Sequence, residues 1–157
     1  MSVFRTRSEH MNFQGVVLNI ADLDRSIDFY RDVYGFTLLA KKDQLASMYA
    51  AGNDRSQVLL LRSVGTTSAH RVIGAGHVGI RAVVLEIATV DELERVAAAL
   101  DQRGCLVARH GDDATWAAVF GRDPDHISVI AGTSLSDDPI NLDAWAGLDD
   151  ALYSAGE

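Results

Sequence analysis

Residues 16–36 read VVLNIADLDRSIDFYRDVYGF, and two periodicities lie back to back in them. Over Val16-Val17-Leu18-Asn19-Ile20 the residues alternate. Val16, Leu18 and Ile20 share one face, while Gly15, Val17 and Asn19 share the other, the pattern of a strand buried on one side. The period then changes. Leu23, Ile27, Tyr30 and Tyr34 fall at i, i+4, i+7 and i+11 of a helix running from about Asp24 to Tyr34. Asp22 and Asp24 sit at its positive end, and Gly35 is placed to end it in a left-handed conformation. Three short β-like stretches follow, Phe36–Ala40, Leu45–Ala51 and Gln57–Arg62, separated by Lys41-Lys42-Asp43 and Gly52-Asn53-Asp54.

Further along, the same order of elements returns. After a glycine- and serine-bearing linker at 63–80, Ala82–Ile87 alternates as a strand with Val83, Leu85 and Ile87 on one face. Thr89-Val90-Asp91-Glu92 fits a capping box, and the helix it opens carries Leu93, Val96, Ala97 and Leu100 and stops at Gly104. Strands are expected at Cys105–Arg109, Thr115–Phe120 and Ile127–Ala131. Val16–Ile20 superposes on Val83–Ile87, which makes the chain a repeat of one βαβββ unit. The first module spans 13–62 and the second 81–132, with a polar lead-in at 1–12 and a tail at 133–157.

A lone four-stranded unit leaves one sheet face open. Two units side by side predict an α+β fold with one curved eight-stranded sheet, helices outside and a cavity inside. Val16, Leu18, Ile20, Val83, Leu85 and Ile87 then pack under the helices. Gly15, Val17, Asn19, Ala82, Val84 and Glu86 face the cavity.

These residues carry a resemblance. The opening run, with Asp22, Leu23, Arg25, Ser26, Phe29, Tyr30, Gly35 and Phe36 in place, resembles the start of a vicinal-oxygen-chelate module. That superfamily holds glyoxalases, bleomycin-resistance proteins and extradiol dioxygenases. FGRDPDHISVI, near the end, is similar to the family's D-P-D-G turn before the last strand. The resemblance covers about residues 13–132 and is silent about substrate. It implies metal ligands at the start of each module's first strand and a glutamate beyond the D-P-D-G turn. Those places hold Gly15, Ala82 and Ile130, and Val58-Leu59-Leu60-Leu61 offers no ligand in any register. Such side chains cannot donate an electron pair to a divalent cation, so no metal and no other cofactor is expected. Gln14 reaches the cavity only by a slip that turns Val16, Leu18 and Ile20 outward, and His77 lies five residues early. His10, His70, His77, His110 and His126 show no HxH or HExxH spacing.

Four residues are candidates for a binding site. Glu86 is an acid in mid-strand on the cavity side, suited to proton transfer or to a cationic or hydroxylated ligand, and equally to an ion pair with Arg62 or Arg109. Asn19 holds the same place in the first module and can orient a ligand carbonyl, or equally make a structural hydrogen bond to a neighbouring strand. Tyr49 and Trp116 lie on third strands, where rings in a cupped cavity stack on a flat ligand or pack the core. His126 stands where the family turn has glycine and reads as a surface residue. Tyr30 belongs to the helix motif and reads as structural.

The bulk composition fits this. The 157 residues are 48% hydrophobic and 23% charged, with a formal charge of −8. From Thr133 onward there are six acids and no lysine or arginine, which leaves the body nearly balanced. No basic stripe serves phosphate backbones, so nucleic-acid binding is disfavoured. No apolar run approaches a membrane span and no signal-peptide core opens the chain, so a cytoplasmic home is expected, in keeping with the single Cys105. Leu142, Trp145, Leu148 and Leu152 recur at helical spacing in the acidic tail, which is expected to dock on this chain or its twin in a homodimer. The leading expectation is binding of a small, aromatic or otherwise apolar molecule without metal, as in the drug-sequestering members. The alternatives are a metal-independent enzyme with Glu86 as acid or base, and a metal-dependent glyoxalase or dioxygenase.

Overall fold

The computed structural model of the chain describes residues 14–50, 58–65, 80, 82–111 and 116–134. The linker histidines and the tail stripe of Leu142, Trp145, Leu148 and Leu152 lie outside them. The first module runs β1 (Gly15–Ile20), α1 (Leu23–Tyr34), β2 (Phe36–Lys42), β3 (Leu45–Ala50) and β4 (Val58–Ser63). The second repeats it with β5 (Val83–Glu86), α2 (Val90–Gln102), β6 (Leu106–His110), β7 (Trp116–Arg122) and β8 (Ser128–Ser134). The repeat read from the alternation is thus the architecture, with Lys41 and Lys42 extending β2 beyond the expected turn.

Helix α1 begins where Asp22 accepts a hydrogen bond from the Arg25 backbone N–H at 2.8 Å. It ends at Gly35, whose φ of 74° suits a residue without Cβ and whose N–H reaches the Arg31 carbonyl. At α2 half of the capping box forms. Thr89 Oγ1 accepts from the Glu92 N–H at 3.1 Å, but the Glu92 carboxylate turns away to Arg95, with contacts of 2.9 and 2.6 Å. A guanidinium one turn on offers charge-assisted donors that a neutral backbone N–H cannot match.

Each module closes its own sheet. The strand orders are β1-β4-β3-β2 and β5-β8-β7-β6, with the first pair parallel and the rest antiparallel in each. The expected single eight-stranded sheet is not what forms among the described residues: β1 and β5 are the edges of two separate sheets. Alternation fixes faces within a sheet, whereas whether two edges pair depends on how the modules pack. Here they pack through their helix sides. Leu18, Ile20, Val33, Leu61, Val96, Leu100, Val119 and Val129 are all buried in one cluster spanning both modules. Arg95 of α2 donates to the Val33 carbonyl of α1 at 3.2 Å.

A second fastening lies at the turn between β7 and β8. Asp123 is 2% exposed. Its Oδ1 accepts from the backbone N–H groups of Asp125 and Ile127, each at 2.8 Å, and its Oδ2 accepts from the Tyr30 hydroxyl of α1 at 2.9 Å. Asp125 completes the clasp by accepting from the Ala21 N–H at 3.2 Å and from Arg25 at 3.1 Å. Burial and then the neighbouring Asp123 charge hold the Tyr30 hydroxyl well above the ordinary tyrosine range, so it remains a donor. His126, in the same turn, is exposed with φ of 65°, the left-handed conformation for which the family turn uses glycine.

Candidate functional site

Strand register lays out the face of each sheet that points away from the helices. On the first sheet it forms three rows. The first runs Gly15–Val58–Tyr49–Thr37, the second Val17–Leu60–Ser47–Ala40 and the third Asn19–Arg62–Leu45–Lys42. Neighbours within a row are about 5 Å apart and alternate positions along a strand about 7 Å. This face is open: Val17 is 58% exposed, Leu45 53% and Leu60 37%. An exposed aliphatic strip inside a sheet is a place for something apolar to lie.

The corresponding face of the second sheet has rows Val84–Ile130–Phe120–Ala108 and Glu86–Gly132–Ala118–His110. It differs sharply. Ala118, Phe120 and Ile130 are buried to 1% exposure or less and form their own cluster, with Ala82, Val107 and Ala108 packed against it. The repeat is therefore symmetric in backbone and asymmetric in surface, with one face open and the other closed at its centre.

The residues singled out in the sequence divide between these faces. Asn19 is exposed and sits beside Arg62. Tyr49 is half-buried two rows away on the same face. Glu86 is exposed beside Gly132 on the other sheet, and Trp116 opens β7 opposite Ser134. Val83 and Leu85 pack toward the helices while Val84 and Glu86 do not, so the alternation assigned the faces correctly. The arginine pairing considered for Glu86 does not form among the described residues. Arg109 bonds Glu94 instead, and neither Arg62 nor Glu86 enters an ion pair.

Residues 12–130 match the family model of the glyoxalase/bleomycin resistance protein/dioxygenase superfamily. The chain belongs to that superfamily. Solved structures agree on the fold. A glyoxylase/bleomycin resistance protein/dioxygenase domain from Frankia sp. EAN1pec superposes with a TM-score of 0.67 at 17% identity, covering 80% of this chain and 99% of that one. A lactoylglutathione lyase from Agrobacterium tumefaciens gives 0.58 at 23% identity, covering 80% and 95%. A genomically encoded fosfomycin resistance protein from Listeria monocytogenes gives 0.60 at 8% identity, covering 79% and 93%. Nothing among curated proteins matches.

The superfamily's metal-dependent members raise the question whether this member's residues suit a metal. At the described positions they do not. A Cβ built on Gly15 would stand 2.1 Å from the Val58 carbonyl oxygen, so the backbone leaves no room for any side chain there. Ile130 is sealed in the apolar cluster with Ala82 against it. Among the described residues no three His, Cys, Asp or Glu side chains are placed so as to hold a metal ion. A surface groove of about 310 Å³ does gather Asp22, Asp24 and Asp43, but it lies between the start of α1 and the β2–β3 turn, and Lys41 already pairs with Asp24 at 2.6 Å.

Two features escaped the sequence reading. Asp123 served there only as an alignment landmark, although an aspartate with backbone N–H groups two and four residues on is an Asx-type turn former. Arg62 was weighed only as a partner for Glu86. Its position across from Asn19 emerges from the parallel β1–β4 register, which alternation alone does not provide.

Proposed function

We propose that this superfamily member binds a small organic molecule on the open face of its first module, without a metal ion. The observation that carries the reading is the exposed strip of Val17 and Leu60, flanked by polar Asn19 and Arg62 on one side and Tyr49 on the other. Apolar surface with a few polar groups at its margins is the ordinary composition of a ligand site. The misfit of Gly15, Ala82 and Ile130 to a metal supports the second half of the reading. Glu86 is exposed and unenclosed by described residues, so acid–base chemistry there has no observation of its own in favour.

The test is a binding screen with small aromatic and aliphatic compounds against protein treated with a chelator. Affinity for the hits is expected to be the same with and without added divalent metal. Val17→Asp should weaken them about ten-fold or more, since it sets a hydrated carboxylate on the strip, and should leave the fold intact because Val17 is exposed. Hits that require metal, or that ignore Val17→Asp, would contradict the reading.

A further inference from the structure

The charge on the open face is opposite to that of the chain. The protein carries a formal charge of −8, yet the three rows of the first module's open face contain Arg62 and Lys42 and no acid. Elsewhere all the described lysines and arginines but Arg122 are neutralised. Arg25, Arg31, Arg95, Arg103 and Arg109 and also Lys41 each hold a carboxylate. Among the described residues only Arg62, Lys42 and Arg122 lack an acidic partner, and the first two share one row. Asn19 stands next to Arg62 in that row with its amide also uncommitted. The equivalent row of the second module inverts the pattern, with Glu86 where Asn19 stands and Gly132 where Arg62 stands.

We propose that the ligand of this face is an organic anion, its acid group held by Arg62 with Asn19 alongside and its apolar body lying on Val17 and Leu60. This rests on the reading that the first module's open face is the binding site, and it names the class of ligand. A guanidinium presents a planar fork that matches a carboxylate or phosphate in two parallel hydrogen bonds, and an adjacent amide adds a donor. Lys42, two places along the row, adds to the local positive potential, which draws anions toward this face of an otherwise acidic protein. The turn residue Asp43 follows Lys42 in the chain but belongs to none of the rows. Glu86 disfavours an acid group on the second module, so the charged end is assigned to the first.

The experiment titrates the full-length protein with two fluorescent probes of one shape, 2-naphthoate and the uncharged 2-naphthamide. The acid is expected to bind about ten-fold more tightly at low salt, an advantage that shrinks as salt screens exposed charges. Arg62→Gln should remove that advantage by weakening the acid far more than the amide; Arg62→Lys should retain part of it. Equal binding of the two probes, unaffected by Arg62→Gln, would overturn the anion assignment while leaving the binding face standing. Binding of neither probe at millimolar concentration, or binding that Val17→Asp does not weaken, overturns the face itself and the anion assignment with it.

Discussion

Ile130→Glu is expected to remove a large part of the folding free energy at neutral pH. The substitution puts a carboxylate at the place where the resemblance implies a metal-binding glutamate. In this chain that place is 1% exposed, in a cluster with Ala118 and Phe120. An uncompensated buried charge costs on the order of 3–5 kcal/mol, against the roughly 5–15 kcal/mol that holds a typical domain together. The variant's carboxyl can escape by remaining protonated, so its deficit should shrink in acid. Ile130→Met keeps the volume and should cost less than about 1.5 kcal/mol, which separates charge from shape. Denaturant midpoints of the three proteins provide the comparison. A variant as stable as the parent that also gained a metal ion would show that the second face is a ligand site after all.

Asp123→Ala is the second large effect, and it acts on the joint between modules. It leaves the Tyr30 hydroxyl and the N–H groups of Asp125 and Ile127 without their acceptor. Each unsatisfied buried donor costs about 1–3 kcal/mol, so a loss of about 3 kcal/mol or more is expected. Asp123→Asn should stay within about 1 kcal/mol of the parent. Its amide oxygen serves the two backbone donors, and its NH2 can donate to a Tyr30 hydroxyl turned to accept.

The pair also gives a pH dependence of defined sign. Burial pushes the Asp123 carboxyl up from the usual carboxylate range, and its hydrogen bonds to Ile127, Tyr30 and Asp125 pull it only part of the way back. The folded state therefore favours the protonated form. That contribution is complete below the ordinary carboxylate pKa of about 3.9 and is lost as pH rises from there to the raised value. The other groups at the clasp, Tyr30, Asp125 and Arg25, are common to both proteins. The stability of the parent minus that of Asp123→Asn should therefore grow as pH falls from neutral toward about 4. Denaturant unfolding at a series of pH values reads this difference, and the opposite slope would contradict the account of the clasp.

What could be read from the sequence follows from what is local. The strand–helix–strand order and the assignment of Leu18, Ile20, Val83 and Leu85 to the helix side rest on periodicities within a few residues. They held because burial enforces them. The helix ends held for the same reason, since Asp22, Gly35 and Thr89 act on backbone groups close by. The failures lie where distant parts meet. Asp123 bonds Tyr30 across 93 residues, and nothing near either residue announces the other. Whether β1 and β5 pair depends on the docking of two finished modules. The site divides in the same way. Asn19 and Glu86 were placed on the right faces, but the partner that gives Asn19 its chemical setting is Arg62, on a strand far along the chain.

A metal assay of the purified protein bears on all of this at once. Elemental analysis after mild purification, without added metal or chelator, is expected to find well under one equivalent of zinc, iron, manganese or nickel per chain. Chelation should then leave ligand binding unchanged. One equivalent of any of these metals, removed by a chelator together with ligand binding, would contradict the account and return the chain to the metal-dependent branch of its superfamily.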